Sequence, residues 1–285
     1  MATATAAATA REWQLSLPLA LYFAAFFAAP LAIMLAISLT SETDRSFVGL
    51  AYYFKFFADS LSRSSLLETL WLGAKTTLAC LLLGYPLAWL HGRVSRRAQT
   101  LILFIIILPL LTSVVVRTFA WIVILGRQGI VNSALLQLGV IDAPLRLLYT
   151  EGAVVVALAQ IQMPLMVLPL MTAFGQLDPR THEASISLGA SAWRTFFSVT
   201  VPLTLPGMIA GAMLVYAASV TAFVTQTIVG GGRLIYMPLL IYQQAISLNN
   251  WPFAATVSIV LLVTVLALVT AFNQLGRASR GYASA

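Results

Sequence analysis

Asp178-Pro-Arg-Thr-His-Glu-Ala-Ser-Ile-Ser-Leu-Gly189, running on to Val199-Thr200-Val201-Pro202, is the stretch from which this chain is best read. It sets two of only nine acidic residues between long apolar runs. Asp178 is suited to accept hydrogen bonds from free backbone amides, and Pro179 fits the first position of a helix. The residues from Arg180 to Leu188 are good helix formers, and Ala184, Ser185 and Ser187 keep one face small. Gly189 ends that helix, because glycine takes the left-handed conformation at a C-terminus without strain. A second short helix is expected over residues 191–197, with Ser191 as its cap. Pro202 and Pro206 then open the next long helix, where missing amide donors do least harm. The product is a helix–turn–helix whose small residues let a partner dock closely.

The flanks show what the segment is attached to. The 285-residue chain is 60% hydrophobic and 9% charged, with a mean hydropathy of +0.92. Soluble domains give about a quarter of their residues to charge. Charge-free runs cover residues 13–41, 98–116, 152–177, 195–232 and 234–276. A helix needs about 20 apolar residues to cross hydrocarbon, so the fold class is an all-α integral membrane protein. Six transmembrane helices are expected, near residues 15–40, 67–90, 100–125, 151–174, 203–228 and 252–275, the third kinked at Pro109. Residues 1–12 read as a disordered cytoplasmic tail, 13–275 as a single transmembrane domain and 276–285 as a second cytoplasmic tail. The Ala/Thr tract at the start lacks the basic residues of a cleaved signal.

Orientation follows from Lys and Arg. With both termini inside, Arg11, Arg93, Arg96, Arg97, Arg180, Arg194, Arg277 and Arg280 are cytoplasmic. Arg45, Lys55, Arg63, Arg127, Arg146 and Arg233 are exterior, and Lys75 and Arg117 lie within helices. The three arginines of the short His91–Arg97 loop carry most of this N-in, C-in assignment; a lipid or ATPase contact is their alternative role. The 178–202 segment is then cytoplasmic. The net charge of +7 is spread beside apolar runs, which is a membrane pattern and not a nucleic-acid one. The exterior Tyr52-Tyr-Phe-Lys-Phe-Phe57 suits an interfacial helix, and residues 127–150 a short surface or re-entrant helix. Cys80 stands alone, so neither a disulfide framework nor a cysteine metal site is available.

Glu183-Ala184-Ser185, three residues, Gly189, nine residues and Val199-Thr200-Val201-Pro202 resemble the EAA loop of binding-protein-dependent (type I) ABC importer permeases. The family pattern is Glu-Ala-Ala, three residues, Gly, nine residues, Ile-x-Leu-Pro. Ser185, Val199 and Val201 depart from it mildly. Thr112-Ser-Val-Val-Val-Arg117-Thr-Phe-Ala-Trp121, Gly129-Ile-Val-Asn132 and Asn250-Trp-Pro-Phe253 are similar to the spermidine/putrescine branch. The resemblance implies a permease subunit in a bacterial inner membrane, working with a second permease, a cytoplasmic ATPase dimer and an external solute-binding protein. It also implies that Asp178, Glu183, Ala184, Ser185, Gly189, Arg194 and Pro202 couple the chain to the ATPase. Glu183 would fix the loop, although stabilising its own helix is an alternative. The solute expected first is a polyamine, with opines, phosphonates and amino-acid-like solutes as further candidates.

The membrane interior supports an external energy source. Intramembrane carboxylates mark ion-coupled carriers, and here Glu68 and Glu151 fall at helix ends. No Walker-type phosphate loop is written in the chain, since Gly230-Gly-Gly-Arg233 lacks the Lys-Ser/Thr ending. ATP and Mg are therefore expected on the partner, with no cofactor or metal on this chain. No zinc-protease or nucleophile-elbow motif makes it an enzyme. An ATP-independent carrier or channel remains the alternative. Candidate path-lining residues are Arg117, Gln160, Gln162, Thr221, Thr225 and Gln226, with Thr221 and Thr225 one turn apart on one face. Interhelical hydrogen bonding is the competing explanation for the uncharged ones, and snorkelling to the interface for Arg117.

Overall fold

The computed structural model describes residues 18–41 and 46–280; the expectations for the N-terminal tail and for Arg45 lie outside them. All regular elements among these residues are helical, as hydrocarbon demands of a chain whose amides must find partners within their own segment. In order they are α1 (Pro18–Ser38), α2 (Ala51–Ala58), α3 (Ser60–His91), α4 (Arg96–Ile107), α5 (Val114–Leu125), α6 (Ile130–Gln137), α7 (Glu151–Gly175), α8 (Pro179–Ser187), α9 (Ala192–Val220), α10 (Phe223–Gly230), α11 (Met237–Tyr242) and α12 (Trp251–Arg280). Six stretches are long and apolar enough to cross a membrane: α1, α3, Val114–Gln137, α7, α9 and Trp251–Gln274.

Four expectations change. The helix expected over residues 100–125 breaks instead of kinking at Pro109. A 3-10 turn over Leu108–Leu111 follows α4, and the chain is extended at Thr112 before α5 starts. Proline supplies no amide, and the Thr112 hydroxyl donates to the Pro109 carbonyl at 3.0 Å in place of a helical donor. The third apolar stretch accordingly runs on from α5 through the Gly126–Gly129 turn into α6. Second, the short helix expected over residues 191–197 is continuous with the next span. A π-turn at Phe196–Thr200 carries Ala192–Thr195 directly into Val201–Val220. Third, the helix expected over residues 203–228 ends at Val220, and Thr221 and Ala222 separate α9 from α10. The last helix, expected to end at residue 275, continues to Arg280.

The chain divides into two compact units. One groups the described part of Met1–Arg63 with Ile241–Leu261. Within it the Ser38 hydroxyl meets the Tyr53 hydroxyl at 2.8 Å, and Thr256 donates to the Ser38 carbonyl. The Lys55 ammonium lies 5.0 Å from the Phe253 ring centroid. Asp59 caps α3 by accepting the Ser62 hydroxyl and amide, which hold its carboxyl below the usual carboxylate range.

The other unit groups Ser64–Leu240 with the described part of Leu262–Ala285. Its axis is α7, which buries Val154, Leu158, Met166, Val167 and Leu170 completely. Around it pack Leu72, Cys80, Tyr85 and Ala88 from α3, with Val215 from α9 and Val229 from α10. The approach of α9 to α7 depends on Gly207. A Cβ there would stand 2.8 Å from the Pro169 carbonyl oxygen and 2.5 Å from the Ala173 Cβ.

Candidate functional site

Each end of the helix–turn–helix is closed by the residue its sequence offers. Asp178 Oδ1 accepts the Arg180 amide at 2.9 Å, and its carbonyl accepts the Thr181 hydroxyl at 2.6 Å. At the far end of α8, Gly189 takes φ +80°. Its amide donates to the Ile186 carbonyl at 2.8 Å, and the Ala190 amide reaches the Ser185 carbonyl at 3.1 Å. This is the double closure that a left-handed residue permits. Ser191 Oγ then accepts the Arg194 amide at 3.3 Å to open α9.

A further tie was not expected from the pattern. Ser185 Oγ and Thr195 Oγ1 lie 2.9 Å apart, with Thr195 fully buried. The residue that departs from Ala-Ala is therefore the one that joins α8 to α9. Only its hydroxyl, ten positions before another, hinted at this.

The frame is closed, but its outer face is open. Glu183, Ala184, Arg194 and Pro202 are exposed, and Leu188 is 89% exposed. Among the described residues the Glu183 carboxylate has no hydrogen bond or ion pair; only its backbone carbonyl is used, by the Ser187 hydroxyl at 3.0 Å. Its alternative role as a stabiliser of its own helix finds no side-chain partner among the described residues. Beside the segment, the Arg93 guanidinium stacks 3.9 Å from the Trp89 ring centroid. Trp89 and Arg93 line a hollow of about 250 Å³ with Asp178, Thr181 and Thr200.

The six candidate path residues separate into different roles. Thr225 is buried, and its hydroxyl meets that of Thr118 on α5 at 3.2 Å. Gln226 donates its amide to the Ser219 carbonyl at 2.8 Å, while its Oε1 is buried without a partner. Thr221 is exposed and donates to the Ala217 carbonyl at 2.9 Å. Thr221 and Thr225 do not share a helix face, because the chain leaves the helix between them. Side-chain donors from Thr221 and Gln226 satisfy carbonyls that a continuing helix would have bonded, which is how such residues compete with regular structure. Gln162 is buried and Gln160 half-buried. Two positions apart, they point to different sides of α7. Arg117 is half-buried on α5, next to the Thr118–Thr225 contact, and its Nε and Nη1 have no partner among the described residues.

At the Glu151 end of α7, away from the helix–turn–helix, one of the two acids expected at helix ends is paired. Lys75 Nζ lies 2.6 Å from Glu151 Oε1.

The family model for "Binding-protein-dependent transport system inner membrane component" matches residues 81–275. The spermidine/putrescine transport system permease protein PotB of Escherichia coli (strain K12) is 36% identical over 231 residues, which are 80% of this chain and 84% of that protein. A crystal structure of a bacterial ABC transporter that imports the acidic polysaccharide alginate has a chain that superposes with TM-score 0.77 at 17% identity. The match covers 94% of this chain and 96% of that one. A second crystal structure, of the alginate transporter with its pentasaccharide-bound periplasmic protein, gives 0.74 at 17%, covering 94% and 95%. With its helical fold, six apolar spans and these likenesses, the chain belongs to the family of binding-protein-dependent inner membrane components: it is a multi-pass bacterial inner-membrane protein, the permease subunit of an ABC importer.

Proposed function

We propose that this chain forms half of a polyamine translocation path and that its 178–202 segment is the cytoplasmic EAA loop on which an ATPase acts. The observation that carries the coupling role is the contrast within the segment. Two side-chain caps, a glycine closure and a hydroxyl bridge fix its shape, yet Glu183 and Leu188 are exposed and the Glu183 carboxylate is unpaired among the described residues. A surface held so firmly and left so uncovered is what docking requires. In this reading both termini are cytoplasmic, and the chain pairs with a second permease above an ATPase dimer. Solute arrives from a periplasmic binding protein like the one in the alginate transporter complex. ATP and Mg act on the ATPase, and this chain carries no cofactor and catalyses no reaction.

The solute class draws its support from the spermidine/putrescine permease likeness. The ATP-independent carrier or channel finds no support in the family match. Uptake of radiolabelled spermidine by the complete importer in proteoliposomes tests both halves. Uptake that needs internal ATP and external binding protein is expected. Uptake by this chain alone without ATP would overturn the coupling role, and ATP-driven import that ignores spermidine and putrescine would overturn the solute.

A further inference from the structure

Three elements of the second unit meet in a hollow of about 390 Å³ at the Glu151 end of α7. Glu68, Trp71 and Lys75 enter from α3, Glu151 from the start of α7, and Leu234 and Tyr236 from the segment after α10. Spacings of three and four residues put the first three on one helix face. The volume lies in the range of small-ligand sites, about 300–1,000 Å³.

Its chemistry is that of an ammonium receptor. The hollow already holds one primary ammonium, because Lys75 Nζ sits 2.6 Å from Glu151 Oε1. Both side chains of that pair are nearly half exposed, and ion pairs so open to water are weak and readily exchanged. The Glu151 carboxylate also lies in the first turn of α7, where the helix dipole attracts negative charge. Glu68 has no ion pair among the described residues, so the hollow carries one uncompensated negative charge. Trp71 presents a ring that is 63% exposed, and an indole face attracts cations.

Tyr236 supplies an observation independent of the acids. It is only 2% exposed, yet its hydroxyl makes no hydrogen bond among the described residues, and the ring lines the hollow. Burial, and then the charges of Glu151 and Glu68, push its phenol well above the ordinary value, so it stays neutral. A neutral hydroxyl without a hydrogen-bond partner, on a residue that lines one hollow with two carboxylates, is free to accept from a donor held there.

We propose that this hollow receives one primary ammonium group of the transported solute, the end of a diamine or polyamine cation. Glu68 is its charge partner, Trp71 and Tyr236 supply the ring face and the hydroxyl, and Lys75 is a resident competitor for Glu151. Among the lining residues the sole cation is already engaged, so nothing there is free to hold a carboxylate or phosphate. The inference rests on the polyamine reading and adds where the cation is held on this subunit.

Equilibrium dialysis of radiolabelled spermidine against the complete complex, binding protein included, tests it. A saturable site beyond that of the binding protein is expected. Glu68→Gln should weaken it about five-fold or more, the loss expected when an ammonium gives up a charged partner. Lys75→Met should tighten it by removing the competitor. A purely structural brace predicts a different pattern: Glu68→Gln without effect, and Lys75→Met lowering thermal stability and leaving binding as it was. No second site, or an unchanged affinity in both variants, overturns the proposal. If wild-type complex takes up no spermidine or putrescine in proteoliposomes, the polyamine reading fails first. If uptake is normal and the variants bind alike, only this site fails.

Discussion

The crossing of α7 with α9 and the 178–202 segment are adjacent in sequence and opposite in design. At the crossing, Gly207 brings backbone against backbone and the surrounding side chains are buried. In the segment, hydrogen bonds do the shaping and the apolar residues Ile186 and Leu188 face outward. Small residues serve close approach in both. In one the approaching surface belongs to the same chain. In the other, on the proposed reading, it belongs to the ATPase. Changes at the crossing should therefore cost stability, and changes on the segment's outer face should cost coupling alone.

Gly207→Val is expected to have the largest effect. Its side chain has no room beside the Pro169 carbonyl, and overpacking of this kind costs about 1–3 kcal/mol or more. Thermal unfolding of the purified protein should drop by several degrees, and a normal melting temperature would break the comparison from its buried side. Next comes Glu183→Arg, expected to reduce ATP-driven uptake at least ten-fold while the melting temperature stays unchanged. A matching loss of stability would mean that Glu183 belongs to the fold.

Gly189→Ala is intermediate, because a left-handed residue with a side chain costs roughly 1 kcal/mol. It should lower both stability and uptake modestly, since the turn shapes the docking face. Ser185→Ala is the smallest. Loss of its bond to Thr195 should cost about 0.5–1.5 kcal/mol, seen as faster hydrogen exchange confined to α8. An effect on α7 as well would show that the two regions are less separate than their contacts imply.

Much of this was legible in the amino acids. Asp178, Pro179, Gly189 and Ser191 act locally, and each does in the structure what its backbone chemistry allows within a few residues. Apolar length likewise gave the number of spans, six, though the bounds of the third and fifth moved. Neighbours were not legible, for a physical reason: lipid and protein interior are equally apolar. α1 and α7 have mean hydropathies of 2.2 and 2.0, yet 0% of one and 56% of the other is buried within the chain. The break at Thr221 was missed because its cause is tertiary and side-chain borne, in Gln226 reaching back to Ser219 and Thr225 reaching Thr118. The Glu68–Tyr236 hollow was missed because its members come from segments separated by up to 168 positions. Only the spacing of Glu68, Trp71 and Lys75 pointed to a shared face.

The continuity of α9 has a mechanical consequence. It runs 29 residues from Ala192 to Val220 without interruption, about 43 Å at 1.5 Å per residue. Its first turn is pinned to α8 through Thr195, and its last residue borders the Thr221–Ala222 gap. A tilt of about 5° at the base would carry the far end through roughly 4 Å, about two-thirds of a helical turn. The joint at that end is bonded by side chains and so yields without unravelling either helix. α9 is thus a lever tied to α8 by a hydroxyl pair at one end and bounded by a side-chain-bonded break at the other.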